Sequence, residues 1–184
     1  MADRVQFPLG MAVAHLERQQ PGGLTIRYVE TSTIVAVIAR RGKAAVVEER
    51  VASFATGSPG TLMLQTGPEQ WLLLHRQPDL GWFDMIVTTL ENAAAVFDQS
   101  SGYEVITLEG GDAQKLLQKG VFINLEIALA QINGGITTAV SQINIVIWRS
   151  YANQFGVAIP RSFAGSFWYW LVTAGAADNI VLGR

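Results

Sequence analysis

Apolar and polar positions alternate along this chain in two rhythms. Residues 24–29 and 33–39 are rich in Ile, Val and Thr and follow the break Gln19-Gln20-Pro21-Gly22-Gly23, so both predict strands. In residues 43–54, Ala44, Val47, Val51 and Phe54 recur at three- and four-residue spacing while Glu48, Glu49 and Arg50 fall mostly on other faces, which predicts a helix. Residues 56–60 end it. Residues 61–65 and 71–75 predict a hairpin with Gly67-Pro68-Glu69 in the turn, and 80–95 predict a helix capped by Asp79.

The same order then returns. Residues 103–108 predict a strand turned by Gly110-Gly111, and 112–119 a short helix stopped by Gly120. A loop holding Gly134-Gly135 follows, then a hairpin over 136–140 and 142–149, in which Ile143, Ile145 and Ile147 alternate with Asn144, Val146 and Trp148. Residues 154–159 predict another strand. Pro160 and Ser162 open a final helix through about residue 172, with Ser162 as its N-cap. Residues 1–23 predict an arm or loop, with a short helical piece expected over 11–19. Strand–helix–strand–strand–helix thus occurs twice, before and after about residue 98. The expected class is α+β: two split βαβ, ferredoxin-like halves with antiparallel sheets and packed helices. The expected organisation is one domain over 1–184, with halves at about 24–98 and 99–176.

Composition sharpens this picture. The 184 residues can bury roughly 70% of the surface of the unfolded chain, enough for a core without staples. Thirteen Lys and Arg against fifteen Asp and Glu give a formal charge of −2 and no basic stripe for nucleic acid; Arg40, Arg41 and Lys43 are the only basic cluster. The absence of cysteine excludes disulfides, thiol nucleophiles and cysteine–zinc sites, and His15 and His75 are too few for a three-histidine metal site. Charged residues are 15% of the chain against about 25% in ordinary soluble domains, and mean hydropathy is +0.26. No apolar run reaches the ~18 residues of a membrane span, and residues 1–14 lack the apolar core of a signal peptide, so the expected location is cytoplasmic. A low-charge cytoplasmic chain is expected to have part of its surface covered by a partner; a low-charge monomer is the alternative.

No nucleotide-binding glycine loop or nucleophile elbow occurs in the sequence. Glu48-Glu49 is the only adjacent acidic pair, and neighbours on a helix diverge too far to act as an acid–base dyad. Gly110-Gly111 lies between Glu109 and Asp112, which favours a tight turn over an anion site. His75, at a strand end, is expected to be a hydrogen-bonded structural residue. The aromatic segment 162–171 is the most informative. Phe163, Phe167, Trp170 and Leu171 share a face suited to the core, whereas Trp168 and Tyr169 project elsewhere. Tyr and Trp are favoured interface anchors, so Trp168 and Tyr169, with Trp82, Phe83 and Arg161, are the candidate subunit-interface residues; the alternative is a helix buried wholly within its own domain with Tyr169 wet at its tip, and the same alternative holds for Trp82 and Phe83.

Several strings together carry a resemblance: Gly67-Pro68-Glu69-Gln70-Trp71-Leu72-Leu73, Phe97-Asp98-Gln99-Ser100, residues 108–120 from Leu108-Glu109-Gly110-Gly111-Asp112, Asn124-Leu125, and Pro160-Arg161-Ser162-Phe163 leading to Phe167-Trp168-Tyr169-Trp170-Leu171. In this order they resemble the gamma subunit family of heterotetrameric sarcosine oxidases. The resemblance implies a fold similar to the folate-binding domain of aminomethyltransferases. It also implies a non-catalytic assembly role in a complex with alpha, beta and delta subunits. That complex demethylates sarcosine oxidatively to glycine and passes the one-carbon unit to tetrahydrofolate. The resemblance puts FAD and covalent FMN on the beta subunit or its contact with alpha, NAD and folate on alpha, and zinc on delta. No catalytic, cofactor-binding or metal-binding residue is expected on this chain. Two segments depart from the family's pattern: residues 121–125 lack its cysteine and aspartate, and 142–145 lack its glycine-containing turn. The alternative is a stand-alone binding domain for a folate-like molecule, which would need a carboxylate for the pterin ring. Asp98 is the one candidate, with capping of the turn Asp98-Gln99-Ser100 as its competing role.

Overall fold

The computed structural model describes residues 24–29, 33–57, 60–76, 80–130 and 135–176. Their order is β1 (Thr25–Tyr28), β2 (Thr33–Ala39), α1 (Ala44–Gly57), β3 (Thr61–Gly67), β4 (Gln70–His75), α2 (Leu80–Thr89), β5 (Ala94–Asp98), β6 (Tyr103–Glu109), α3 (Ala113–Gln118), α4 (Leu125–Ala128), β7 (Gly135–Val140), β8 (Ile143–Tyr151), β9 (Gln154–Pro160), a 3₁₀ turn (Arg161–Phe163) and α5 (Ala164–Ala176). The expected α+β class is what forms. The strands make two sheets, ordered β3-β4-β2-β5 and β1-β6-β9-β8-β7, and every adjacent pair is antiparallel. In the first, β2-α1-β3-β4-α2-β5 is a split βαβ unit. The second keeps that plan with β7 added, but its strand beside β6 is β1, from the other end of the sequence.

Side-chain alternation sorts the residues into layers. Val35, Val37, Trp71 and Leu73 face α1 and α2, meeting Val47, Val51, Phe54 and Ile86. The opposite parity, Ile34, Leu72 and Leu74 with Leu64, faces Val105, Val146, Trp148 and Ala158 of the second sheet. Beyond that sheet, Ile145, Ile147, Phe155 and Val157 meet Leu116, Leu117, Phe167 and Leu171 of the outer helices. The result is a helix–sheet–sheet–helix stack whose central layer is sheet on sheet. Ile143, Ile145 and Ile147 turn to the helices and Val146 and Trp148 to the other sheet, as the period predicts. Trp148 lies directly across from Gly156 on β9, and its indole occupies the space a side chain there would fill.

Three local differences have identifiable causes. The helix predicted over 80–95 stops at Thr89, because Asn92 adopts φ 63° and turns the chain into β5, which hydrogen-bonds along β2. The Arg50 guanidinium donates to the Thr89 carbonyl at 2.6 Å, fixing that helix end to α1. In the loop after Gly120, Asn124 accepts from the N–H groups of Glu126 and Ile127 and caps α4. Ser162 is not an N-cap: it lies inside the 3₁₀ turn, preceded by Pro160 at φ −55°. His15, Asp79 and the piece over 11–19 lie outside the described residues.

Candidate functional site

The carboxylate singled out in the sequence is occupied in its own turn. Asp98 Oδ1 accepts from the Ser100 hydroxyl at 2.6 Å and the Ser100 N–H at 2.8 Å. These bonds, hydroxyl first, hold the Asp98 carboxyl below the ordinary carboxylate value of 3.8, against a smaller opposing effect of burial. Ser100 Oγ in turn accepts the Ile34 N–H at 3.0 Å, and the Gln99 N–H donates to the Ile34 carbonyl at 2.7 Å. The turn 98–100 therefore locks the β5–β6 connection onto the start of β2.

His75 has a similar structural setting. It is buried at the end of β4, its Nδ1 lies 3.0 Å from Thr61 Oγ1, and its ring stacks on Trp82 at 4.9 Å between centroids. Glu48 and Glu49 are exposed on α1. Gly110 has φ 140°, a backbone open to glycine, and its N–H donates to the Asn153 carbonyl, so the glycine pair makes a tight turn. Among the described residues no group of three acidic or histidine side chains is clustered as a metal site.

The five interface candidates fall in different places. Trp82 is in the core at 4% exposure, and Phe83 packs partly buried beside it. Arg161 donates from Nε to the Ser101 carbonyl at 2.9 Å and lies 3.5 Å from Glu104, pinning the start of α5 to the β5–β6 connection. Trp168 lies partly buried against the outer core, whereas Tyr169 is 73% exposed. Phe163, expected on the core face, is swung out by the 3₁₀ turn to 50% exposure. Tyr169 and Phe163 flank an open groove of about 420 Å³ that runs from α5 to the β7–β8 turn. That turn is made by Ser141 (φ 48°) and Gln142 (φ 71°), two residues in the left-handed region between the paired Val140 and Ile143. It is the geometry in which Asn-Gly is favoured, which explains how the hairpin forms here without glycine and at a conformational cost. The groove carries no formal charge: Ser141, Gln142, Phe163, Ser166, Tyr169 and Thr173 line it together with Trp170.

The described residues include no helix long and apolar enough to cross a membrane. A chain of the heterotetrameric sarcosine oxidase from Corynebacterium sp. U-96, solved in complex with pyrrole 2-carboxylate, superposes with a TM-score of 0.74 at 24% identity, covering 88% of each chain. The glycine cleavage system aminomethyltransferase T from Bartonella henselae superposes with a TM-score of 0.59 at 14% identity over 83% of this chain and 46% of that one. Both share the fold. In sequence, the chain is 28% identical over 120 residues to sarcosine oxidase subunit gamma of Corynebacterium sp. strain U-96, an alignment spanning 62% of this chain and 56% of that protein. It is 24% identical over 174 residues to the strain P-1 subunit gamma, spanning 89% and 86%. The sarcosine oxidase, gamma subunit family matches residues 29–177, which take in every element from β2 to α5. On that match, the chain belongs to the sarcosine oxidase gamma subunit family.

Proposed function

We propose that this chain is the structural gamma subunit of a heterotetrameric sarcosine oxidase and acts by packing rather than by chemistry. The observation that carries the reading is α5, an outer helix of thirteen residues without one charged side chain, presenting Tyr169 and Val172 outward. An outer helix normally presents a charged face to water. An uncharged one with an exposed aromatic fits a surface that a neighbouring protein covers. On this reading the neighbours are the alpha, beta and delta subunits of a cytoplasmic complex. They carry the FAD, FMN, NAD, zinc and tetrahydrofolate, and demethylate sarcosine to glycine. Tyr169, Phe163 and the outer edge of Trp168 form the contact. Arg161 sets the angle at which α5 leaves β9, and Trp82 and Phe83 support the fold from within.

The test is affinity capture of the chain from its host under mild conditions, read by intact mass and flavin absorbance. The expected result is a yellow assembly containing a large flavoprotein partner and two further chains. A colourless single species would overturn the subunit reading. It would leave the folate-like binding domain, to be tested by screening the chain against folates.

A further inference from the structure

We propose that residues 121–128 form a preorganised apolar anchor that seats in an uncharged, apolar pocket of a neighbouring subunit of the oxidase. This rests on the subunit reading and adds the contact that dominates assembly. Phe122 is 101% exposed, beside Ile123 at 39% and Ile127 at 75%. An apolar side chain wholly in water is common at a loose loop tip, but this loop is tied down. Gln118, at the end of α3, grips it with both ends of its amide: Nε2 donates to the Ile123 carbonyl at 2.7 Å, and Oε1 accepts the Leu125 N–H at 2.9 Å. Asn124 caps α4 through two further bonds. Val121 and Leu125, either side of the tip, are buried in the outer core.

The loop thus fixes the backbone that carries Phe122 before anything binds it, which lowers the ordering cost of association to that of the ring's own rotamers. The occupant follows from what surrounds the tip. Glu126 is the single charged residue from 121 to 130. The loop belongs to the same outer helical layer as α5: Gly120, just before it, lies under Trp170, and Lys119 donates to the Ala174 carbonyl at 2.9 Å. The projecting ring and the uncharged helix are therefore continuous, and match a partner surface that is apolar and concave at Phe122. Glu126 and Lys119, both exposed beside this surface, fall at the rim of the contact, where polar groups of the partner belong.

The experiment titrates the full chain, wild type and variants, into the other subunits of the complex purified without it, and reads the dissociation constant. Phe122→Ala is expected to weaken binding roughly 30-fold, the ratio for a ~2 kcal/mol hot spot. Its melting temperature alone should match wild type, because the fully exposed ring supports nothing in the fold. Gln118→Ala keeps the apolar surface but frees the loop, and should weaken binding by a smaller factor. If Phe122→Ala binds within about twofold of wild type, as a near-neutral contact would, the anchor is overturned while the subunit reading stands. If wild type itself does not bind, the subunit reading fails first. Self-association of the isolated chain that Phe122→Ala abolishes, with unchanged binding to the other subunits, would assign the anchor to a second copy and overturn the proposal.

Discussion

Gly156→Ala tests the sheet-on-sheet layer directly. A methyl group at Gly156 would enter the Trp148 indole; even Nε1, the farthest of its three nearest contacts, would be 2.5 Å away. Carbon contacts settle at roughly 3.5–4.0 Å, so the ring must move by about 1 Å or more. It has little room, because Trp148 is 5% exposed and packed in the layer holding Ile34, Leu64, Leu72 and Leu74. Overpacking of this kind costs about 1–3 kcal/mol, and the closeness of the contact places this case near the upper end. The usual advantage of Ala over Gly within a strand returns roughly 0.5–1 kcal/mol, leaving a net loss of about 2 kcal/mol. At ~2–4 °C per kcal/mol for a chain of this size, the melting temperature falls by about 4–8 °C. Urea unfolding of wild type, Gly156→Ala, Trp148→Phe and the double variant completes a cycle. The ring truncation should cost less in the Gly156→Ala background, giving a coupling of about 1 kcal/mol or more. A Gly156→Ala loss under ~0.5 kcal/mol, or strict additivity, would refute the argument that Trp148 fills this space.

Other outcomes follow from the turns. The Asp98 carboxyl is held below 3.8 in the folded chain, so its share of stability is complete above that value and is lost as pH falls through the lowered folded value. The stability difference between wild type and Asp98→Asn, measured by urea midpoint, should therefore shrink on acidification below about pH 4; a constant difference would remove the charge from the account. Gln142→Gly relieves about 1 kcal/mol of strain at φ 71° and gives back roughly 0.5–1 kcal/mol in unfolded-chain freedom, so stability should change by under ~0.5 kcal/mol; a loss above ~1 kcal/mol in thermal unfolding would mean that the Gln142 side chain holds the turn.

Much of the fold was legible because strand periodicity is a local signal. β2 and the β3–β4 hairpin lie where alternation and the Gly67-Pro68-Glu69 turn put them. The β4 register then fixes which of Trp71, Leu72, Leu73 and Leu74 faces which layer. β5 was hidden because Ala93, Ala94 and Ala95 are good helix formers, and only the hydrogen bonds to β2 decide the matter. β1's place beside β6 is a long-range pairing that no local pattern encodes. α4 carried a readable sign in Asn124, but four residues are too few for periodicity. For the candidate site, the uncharged α5 was legible as a composition. The outward swing of Phe163, the strained turn at Ser141 and Gln142, and the grip of Gln118 depend on three-dimensional neighbours.

The central claim, a packing role for this chain, is tested most directly by Tyr169→Ala. The measurement is sarcosine turnover per assembled flavin, taken alongside the yield of complex. Removing a 73% exposed ring should change folding of the free chain by under ~0.5 kcal/mol. The account predicts a lower yield of complex with unchanged turnover in what assembles. Full assembly with a collapsed turnover would contradict it, and would place chemistry on this chain.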